Sequence, residues 1–219
     1  MQRVRFTILS LMALCVVLGA SCVSFRGISS VTYSLRVEEA TSTTEGTFSL
    51  SLSSHEPGKQ KVSLTCVLGE EEFSTTLTTE EDEWFSALLP LLLTKPAFAA
   101  FLGPITASQS TYASLLLLSQ GNLEKGFMWK EKDEEGREVT ISIPDEEIRF
   151  GRRALWIHIE TDGRETLRAL IEKESLIPFL VDILDTKENR KIHLEAKTVI
   201  WERTAPKEEN EMVQGIKDG

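Results

Sequence analysis

Alternation of apolar and hydroxyl side chains constrains this chain more than any other pattern in it. Residues 48–53 read Phe-Ser-Leu-Ser-Leu-Ser, which puts apolar groups on one face of an extended strand and hydroxyl groups on the other. The same period of two recurs over residues 33–37, 62–68 and 73–77. Because such alternation is typical of antiparallel strands with one dry and one solvated face, we predict a meander in the first half of the chain.

The period of two returns after Gly126 and predicts a second group of strands. Asp162-Gly163 between two apolar runs is typical of a type I′ hairpin turn. The predicted strands are Phe127 to Lys132, Val139 to Ile143, Ala154 to Glu160, Thr166 to Glu172, Ile177 to Asp185 and Lys191 to Trp201.

An apolar insert separates the two groups of strands. Thr79, followed by three acidic residues, predicts a helix start. Pro96 predicts a second short helix that Gly103-Pro104 ends, and residues 115–118 fit helix or strand equally. Because prolines and Lys95 interrupt the insert, we expect it to cover the apolar face of the sheet rather than to cross a membrane.

The closing strands follow a recognisable order. Glu172 ends a strand, a short turn reaches Pro178, and the segments 181–185 and 192–195 follow. This order resembles the closing strands of the LolA/LolB-like periplasmic proteins. The resemblance implies a strongly curved, incomplete β-barrel with helices as a lid over an apolar cavity, and a role in carrying lipoproteins or other lipids.

The first residues have the layout of an export signal. Arg3 and Arg5 precede an uncharged, mostly apolar run over residues 7–18, and small residues lead directly to Cys22. The junction resembles the lipobox of bacterial lipoproteins, which implies that Cys22 carries a diacylglycerol thioether and becomes the acylated first residue. The alternatives are an ordinary secretory signal cut near Ala20 and an uncleaved anchor, and we favour lipidation over both.

Charge and cysteine content narrow the partners. The chain has 24 basic and 34 acidic residues, and loss of the two signal arginines leaves a formal charge of −12. Such acidity argues against binding to nucleic acid and against electrostatic docking on anionic lipid, so membrane attachment depends on the lipid anchor. Cys66 is expected to be a buried small hydrophobe; a disulfide with Cys22 is the alternative, which lipidation would exclude.

Two histidine–carboxylate pairs are the candidate chemistry. His158 with Glu160, and His193 with Glu195, each share one face of a strand and include zinc-ligand types. In a simple meander, however, two further strands separate the pairs, so we expect no metal site. We also find no nucleophile elbow, phosphate-binding loop or dinucleotide fingerprint, and expect no cofactor.

The predicted ligand site is an apolar pocket between insert and sheet. The alternative is an ordinary filled core, because the same apolar side chains would suit a packed core and a ligand pocket. The predicted pocket or lid residues are Trp84, Phe85, Leu88, Leu92, Phe98, Phe101 and Trp156.

These observations give one expected organisation. Residues 1–21 form the signal, 22–30 the lipidated cysteine and its tether, 31–203 one β-rich domain with a helical insert at about 79–103, and 204–219 a disordered charged tail. We expect a mainly β (α+β) fold: a curved antiparallel sheet or incomplete barrel whose apolar face a short helical insert covers. The expected function is that of a non-enzymatic lipoprotein of the bacterial cell envelope that binds a lipid or lipidated partner. The alternatives are an interaction lipoprotein with a filled core and, least favoured, an envelope hydrolase.

Overall fold

The structure is a computed structural model that describes residues 27–80, 83, 87, 94–118, 123–133, 135–185 and 189–202. Its elements are β1 (Ile28–Glu38), β2 (Thr43–Glu56), β3 (Lys59–Leu68), β4 (Glu71–Glu80), α1 (Pro96–Leu118), β5 (Met128–Lys132), β6 (Glu138–Ser142), β7 (Glu146–Arg149), β8 (Arg152–Thr161), β9 (Arg164–Glu172), β10 (Pro178–Asp185) and β11 (Arg190–Trp201).

The eleven described strands form one antiparallel sheet. Its order is β4-β3-β2-β1-β11-β10-β9-β8-β6-β5, and β7 pairs with β8 outside this path. The pairing of β1 with β11 joins the two groups of strands and sets Ile28 opposite Trp201. β4 and β5 stand at the two ends of this order and pair only with β3 and β6, not with each other, so the sheet is open in the part of the chain that is described. The expected mainly β fold, with a large antiparallel sheet and a helix, is confirmed.

The predicted alternation decides which face of the sheet is buried. Tyr33 of β1 and Phe48 of β2 lie opposite each other and are at most 1% exposed. On the other face, Thr32 and Ser49 are also paired, and their hydroxyl oxygens hydrogen-bond at 3.1 Å. We call the first face the core face and the second the polar face.

Cys66 is a free thiol buried on the core face of β3. Burial, reinforced by the charge of Glu71, raises the pKa of the Cys66 thiol to about 11. The side chain therefore stays protonated at neutral pH and packs as the small hydrophobe that was predicted. Its alternative partner, Cys22, lies outside the described residues.

The expected helix start at Thr79 is wrong, because β4 continues through Glu80. Thr79 pairs with Gln60, and Glu80 pairs with Lys59. The hydrogen bonds of an existing ladder satisfy the backbone groups that a helix cap would otherwise serve. The sequence from Thr79 to Asp82 does have the pattern of a helix cap, but pairing of Thr79 and Glu80 with β3 decides their conformation.

α1 begins at Pro96 as predicted but runs to Leu118, so the expected stop at Gly103-Pro104 is wrong. Pro104 removes one intrahelical hydrogen bond, whereas Phe101 and Ile105 on either side of it are fully buried. Apolar packing therefore keeps the helix continuous, and residues 115–118 are helical. Within the described ranges, no helix has the length and apolarity needed to cross a membrane.

β7 is a strand that the sequence analysis missed. Its four residues, Glu-Glu-Ile-Arg, show no apolar alternation, and it pairs only with the start of β8. Phe150 and Gly151 make the connecting turn with positive φ angles of 51° and 76°, like Asp162 and Gly163 in the predicted hairpin, at 50° and 72°. Both turns therefore have the backbone sign of a type I′ turn.

The sheet curves strongly at the β7–β8 turn. β8 lies three strands from β11 in the sheet, which is about 14 Å along a flat sheet. Nevertheless, the Trp201 indole nitrogen donates to the Phe150 carbonyl oxygen at 2.8 Å, and Phe150 packs edge-on against Phe179. An indole does not reach that far on a flat sheet, so the strands bend toward each other.

A buried carboxylate fixes the turn between β9 and β10. Glu172 is 2% exposed, and its Oε2 accepts hydrogen bonds from the amides of Glu174 and Ser175 at 3.0 and 2.5 Å and from the Ser175 hydroxyl. Leu176, two residues before β10 begins at Pro178, holds a φ of 60°. The segment from Glu172 to Pro178 is thus a turn that hydrogen bonds to the Glu172 side chain hold in place.

The Tyr33 hydroxyl provides the first test of this packing. It donates to the Pro178 carbonyl oxygen at 3.0 Å in the buried core, and burial raises the tyrosine pKa well above its usual range. Tyr33→Phe removes the donor, so we expect the free energy of unfolding to fall by about 1–2 kcal/mol in urea denaturation. Thr65→Val removes an exposed hydroxyl from β3 and should change it by less than about 0.5 kcal/mol. Equal losses in both variants would contradict this role for Tyr33.

Candidate functional site

Aromatic packing holds α1 on the core face. Phe101 is fully buried and stacks on Phe48, with ring centroids 5.6 Å apart and ring planes at 29°. Phe48 in turn lies 6.2 Å from Tyr33, ring to ring. The helix therefore joins the sheet through a continuous line of three rings, to which offset stacking adds about 1 kcal/mol per pair beyond burial.

α1 has no charged side chain from Pro96 to Leu118. Its fully buried side chains include Ala97, Ile105 and Leu115, and its exposed positions include Gly103 and Ala107. Apolar contact is non-directional, so a helix of this composition is held by buried area and not by ion pairs of its own.

The far end of α1 meets the β9–β10 turn. The Tyr112 hydroxyl donates to the Lys173 carbonyl oxygen at 3.4 Å, and burial together with the charge of Glu172 raises the tyrosine pKa to about 12. Thr106 returns its hydroxyl to the Leu102 carbonyl oxygen at 2.8 Å, just beside Pro104. The helix is thus fastened at its end and locally adjusted at its proline.

The structure describes only some of the predicted pocket residues. Trp84, Phe85, Leu88 and Leu92 lie outside the described residues, and so does the side chain of Phe98. Phe101 lies on the core face as described above. Trp156 is half-buried on the opposite face of the sheet, so these two are not brought together, and the role of all seven stays a prediction.

A row of six titratable side chains crosses the polar face. The ladders align Glu45 of β2, Arg36 of β1, His193 of β11, Asp182 of β10, Arg168 of β9 and His158 of β8. We call this set the polar row. Its strand neighbours Leu194 and Val181 are fully buried on the core face, as the alternation of strands requires.

Asp182 is the centre of the polar row. Its two carboxylate oxygens contact Arg168 Nη2 at 2.7 Å and His193 Nδ1 at 2.6 Å. The hydrogen bond to Asp182 raises the pKa of Arg168. The Arg168 guanidinium also lies 5.5 Å from the ring centre of Trp156, so a cation–π contact orients it from the other side.

The outer members of the polar row have their own partners. Arg36 Nε lies 3.1 Å from Glu38 and 3.8 Å from Glu45. His158 Nδ1 lies 2.9 Å from Glu165. Trp156 donates its indole N–H to Glu147 at 3.2 Å and packs edge-on against His158. The row is therefore an ion-pair network on a solvated surface, which stabilises weakly but fixes side-chain positions.

The two histidines are far apart, as the meander predicts. β9 and β10 lie between the strands of His158 and His193. Among the described residues, no group of three or more His, Cys, Asp or Glu side chains is arranged to hold a metal ion. Each histidine instead contacts a carboxylate of a neighbouring strand.

An open cleft of about 820 Å³ is lined by the four middle members of the polar row, from Arg36 to Arg168. Residues of β1, β9, β10 and β11 line it, where β1 ends at Glu38 and β10 at Asp185. The side chains that alternation directs to the polar face include Thr166, Leu184 and Lys191. The polar side chains of the lining lie across the sheet from α1, whereas Leu167, Ile183 and Ile192 of the lining belong to the core-face alternation. The size of the cleft is that of a ligand or peptide site.

Arg168 and Asp182 were not predicted as site residues, because a β-bulge shifts the register of the β8–β9 hairpin. A regular hairpin around Asp162-Gly163 would put Leu167 opposite His158. A register shift between Ile159 and Glu160 instead places Arg168 opposite His158. No residue type in this hairpin predicts the bulge. Each member of the polar row could be recognised as a polar residue between apolar ones, but their alignment across the strands could not be predicted.

Comparison with family models and with curated protein sequences gives no match. Among solved structures, this chain is similar to a crystal structure of MucB, with 12% identity and a TM-score of 0.41, over 90% of this chain and 60% of that one. It is also similar to a Pseudomonas aeruginosa MucA/MucB complex, with 9% identity and a TM-score of 0.34, over 82% and 56%. The chain thus spans about three fifths of the length of MucB.

A LolA superfamily protein from Nitrosomonas europaea is a further neighbour. It shares 9% identity and a TM-score of 0.25, over 86% of this chain and 92% of that one. This neighbour belongs to the superfamily that the closing strands resemble. All these structural similarities are remote, because their TM-scores lie below 0.5.

Glu195, beside the polar row, gives a pH-dependent prediction. The hydrogen bond from Lys197 is the main cause that lowers the pKa of Glu195, and Arg149 at 2.7 Å adds to it, whereas partial burial opposes them. A lowered folded-state pKa means that the carboxylate stabilises the fold above the ordinary pKa of 4.5 and loses this effect as pH falls through the folded value.

We therefore expect Glu195→Gln to lower the free energy of unfolding by about 1 kcal/mol at pH 7 and by progressively less below about pH 4. Denaturant titrations across this range measure the difference. Glu131→Gln, at an exposed position of β5, serves as the control. A difference that is independent of pH would refute the assignment of Glu195.

Proposed function

We propose that this chain is a non-enzymatic binding protein of the bacterial cell envelope, held on a membrane by a lipid on Cys22. Its ligand, a lipid or the acyl part of a lipidated partner, binds between the core face of the sheet and α1. The observation that carries the proposal is the nature of α1: it has no charged residue, and Pro104 interrupts its hydrogen bonding.

Two physical arguments support α1 as a displaceable cover. Its contact with the sheet is apolar, so an acyl chain that buries similar area replaces the contact at little net cost, since each methylene contributes about 0.8 kcal/mol. A proline inside a helix costs about 3 kcal/mol relative to alanine. The stretch around Pro104 is therefore the weak point at which α1 can bend away while its end stays on the β9–β10 turn.

The second candidate function is that of an interaction lipoprotein, whose core is filled and takes up no small ligand. The observation that favours it is the tight contact of Phe101 with Phe48, together with the charged cleft on the opposite face. In this case the polar face meets a partner and the core face takes up nothing. Acyl uptake separates the two functions.

The acyl test uses the mature chain with Cys22→Ser and a fluorescent fatty acid, followed by fluorescence titration. We expect saturable uptake with about one probe per chain. Pro104→Ala should weaken uptake about tenfold, because it strengthens the helix that must move. Pro57→Ala, in the β2–β3 turn, is the matched control and should leave uptake unchanged. A wild-type chain that takes up no probe would refute the proposal and favour the filled core.

The anchor is tested by the intact mass of protein extracted from membranes. We expect the mass of residues 22–219 plus a diacylglyceryl group and an amide-linked acyl chain. Cys22→Ala should abolish the added mass and leave the signal uncut. An unmodified chain that begins near residue 21 would contradict lipidation and identify an ordinary secretory signal.

A further inference from the structure

The cleft over the polar row is lined by four cationic side chains and three carboxylates. Its carboxylates, Glu38, Glu165 and Asp182, each contact a cation or a histidine. Among its cations, Arg164 and Lys191 have no ion pair within the described residues. With His193 counted as neutral, the lining has a formal charge of +1 in a chain whose formal charge is −10.

We propose that this cleft binds an acidic segment of a partner protein, with Arg164 and Lys191 contacting its carboxylates. Guanidinium and ammonium groups bind carboxylates through charge-assisted hydrogen bonds, which are stronger than neutral ones. Because the rest of the surface is acidic, a partner with acidic residues is repelled elsewhere and directed to this cleft.

The lining selects a protein segment over a more highly charged ligand. Glu38 and Glu165 stand at the cleft with side chains 40% and 44% exposed, and they repel a headgroup with closely spaced phosphates more strongly than a peptide whose single carboxylates are separated by uncharged residues. Leu184 adds an apolar contact between charged neighbours. The four strands that line the cleft cover about 14 Å, the length of an extended peptide of four or five residues.

Position in the fold supports a protein partner as well. Gly27 leads into β1 at Ile28, whereas Arg36 and Glu38 line the cleft near the other end of that strand. An extended strand from residue 28 to 36 covers about 26 Å. If the chain is anchored through Cys22, as proposed above, the cleft faces away from its own membrane toward the aqueous phase. This step rests on the anchor, whereas the charge argument does not.

The test is a titration of the purified protein with a fluorescein-labelled peptide of alternating Glu and Gly, measured by anisotropy at low salt. We expect binding that weakens as salt rises. Arg164→Gln combined with Lys191→Gln should weaken it about tenfold or more, because two charge-assisted contacts are lost. Thermal melting checks that both exposed substitutions leave the fold intact.

A matched pair of substitutions controls for net charge. Lys61→Gln combined with Lys132→Gln removes the same charge from exposed lysines outside the cleft and should change the affinity by less than about twofold. Equal weakening by the two pairs, or equal binding of a Gln-Gly peptide, would overturn the proposal. So would a wild-type protein that fails to bind the peptide.

Two further probes decide the chemical source of the anion. Inorganic phosphate at equal concentration should not release the peptide, and vesicles of phosphatidylglycerol should not bind more tightly than the peptide. Either opposite result would overturn the assignment to a protein segment. Fatty-acid uptake is measured at the other face, so the failure of one proposal leaves the other intact.

Discussion

Alternation of side chains along paired strands governs this molecule. It forces each strand to contribute to two surfaces at once, so that Leu194 is buried while its neighbours His193 and Glu195 project from the other side. A one-residue slip would exchange the two faces and bury the polar row against α1. Since α1 has no charged side chain, it could not pair with the buried charges. The positions of the core, the helix and the cleft all depend on keeping this register across ten ladders.

The two faces use different physical forces for different tasks. The core face holds α1 through buried apolar area, which is non-directional. The polar face gains little stability from its exposed ion pairs, but it holds Arg168 and Asp182 in defined positions. A sheet divided in this way can combine affinity on one side with selectivity on the other.

Much of this fold was predictable from the residues alone, because alternation and turn chemistry are local signals. The hairpin at Asp162-Gly163 and the start of α1 at Pro96 follow from such signals. Errors occurred where long-range contacts decide. β4 continues to Glu80 despite the helix-cap pattern at Thr79, and buried apolar packing keeps α1 helical beyond Pro104.

The candidate site was less predictable than the fold. Its members belong to strands that are distant in sequence, and a bulge near Ile159 shifts the register that would have aligned them. The histidines were recognisable as polar groups on a common face. Their carboxylate partners depend on which strands are neighbours, and this information is carried by the whole sheet rather than by any segment of it.

The ladder between β1 and β11 has a consequence for how the chain reaches this state. Ile28 is paired with Trp201, so the first strand to be synthesised waits for the last one before both of its edges are occupied. Until then the β1 edge is an open template, and contacts of such large sequence separation form slowly. A chain truncated before β11 would therefore leave one edge of β1 unpaired at the centre of the sheet, while its other edge stays paired with β2.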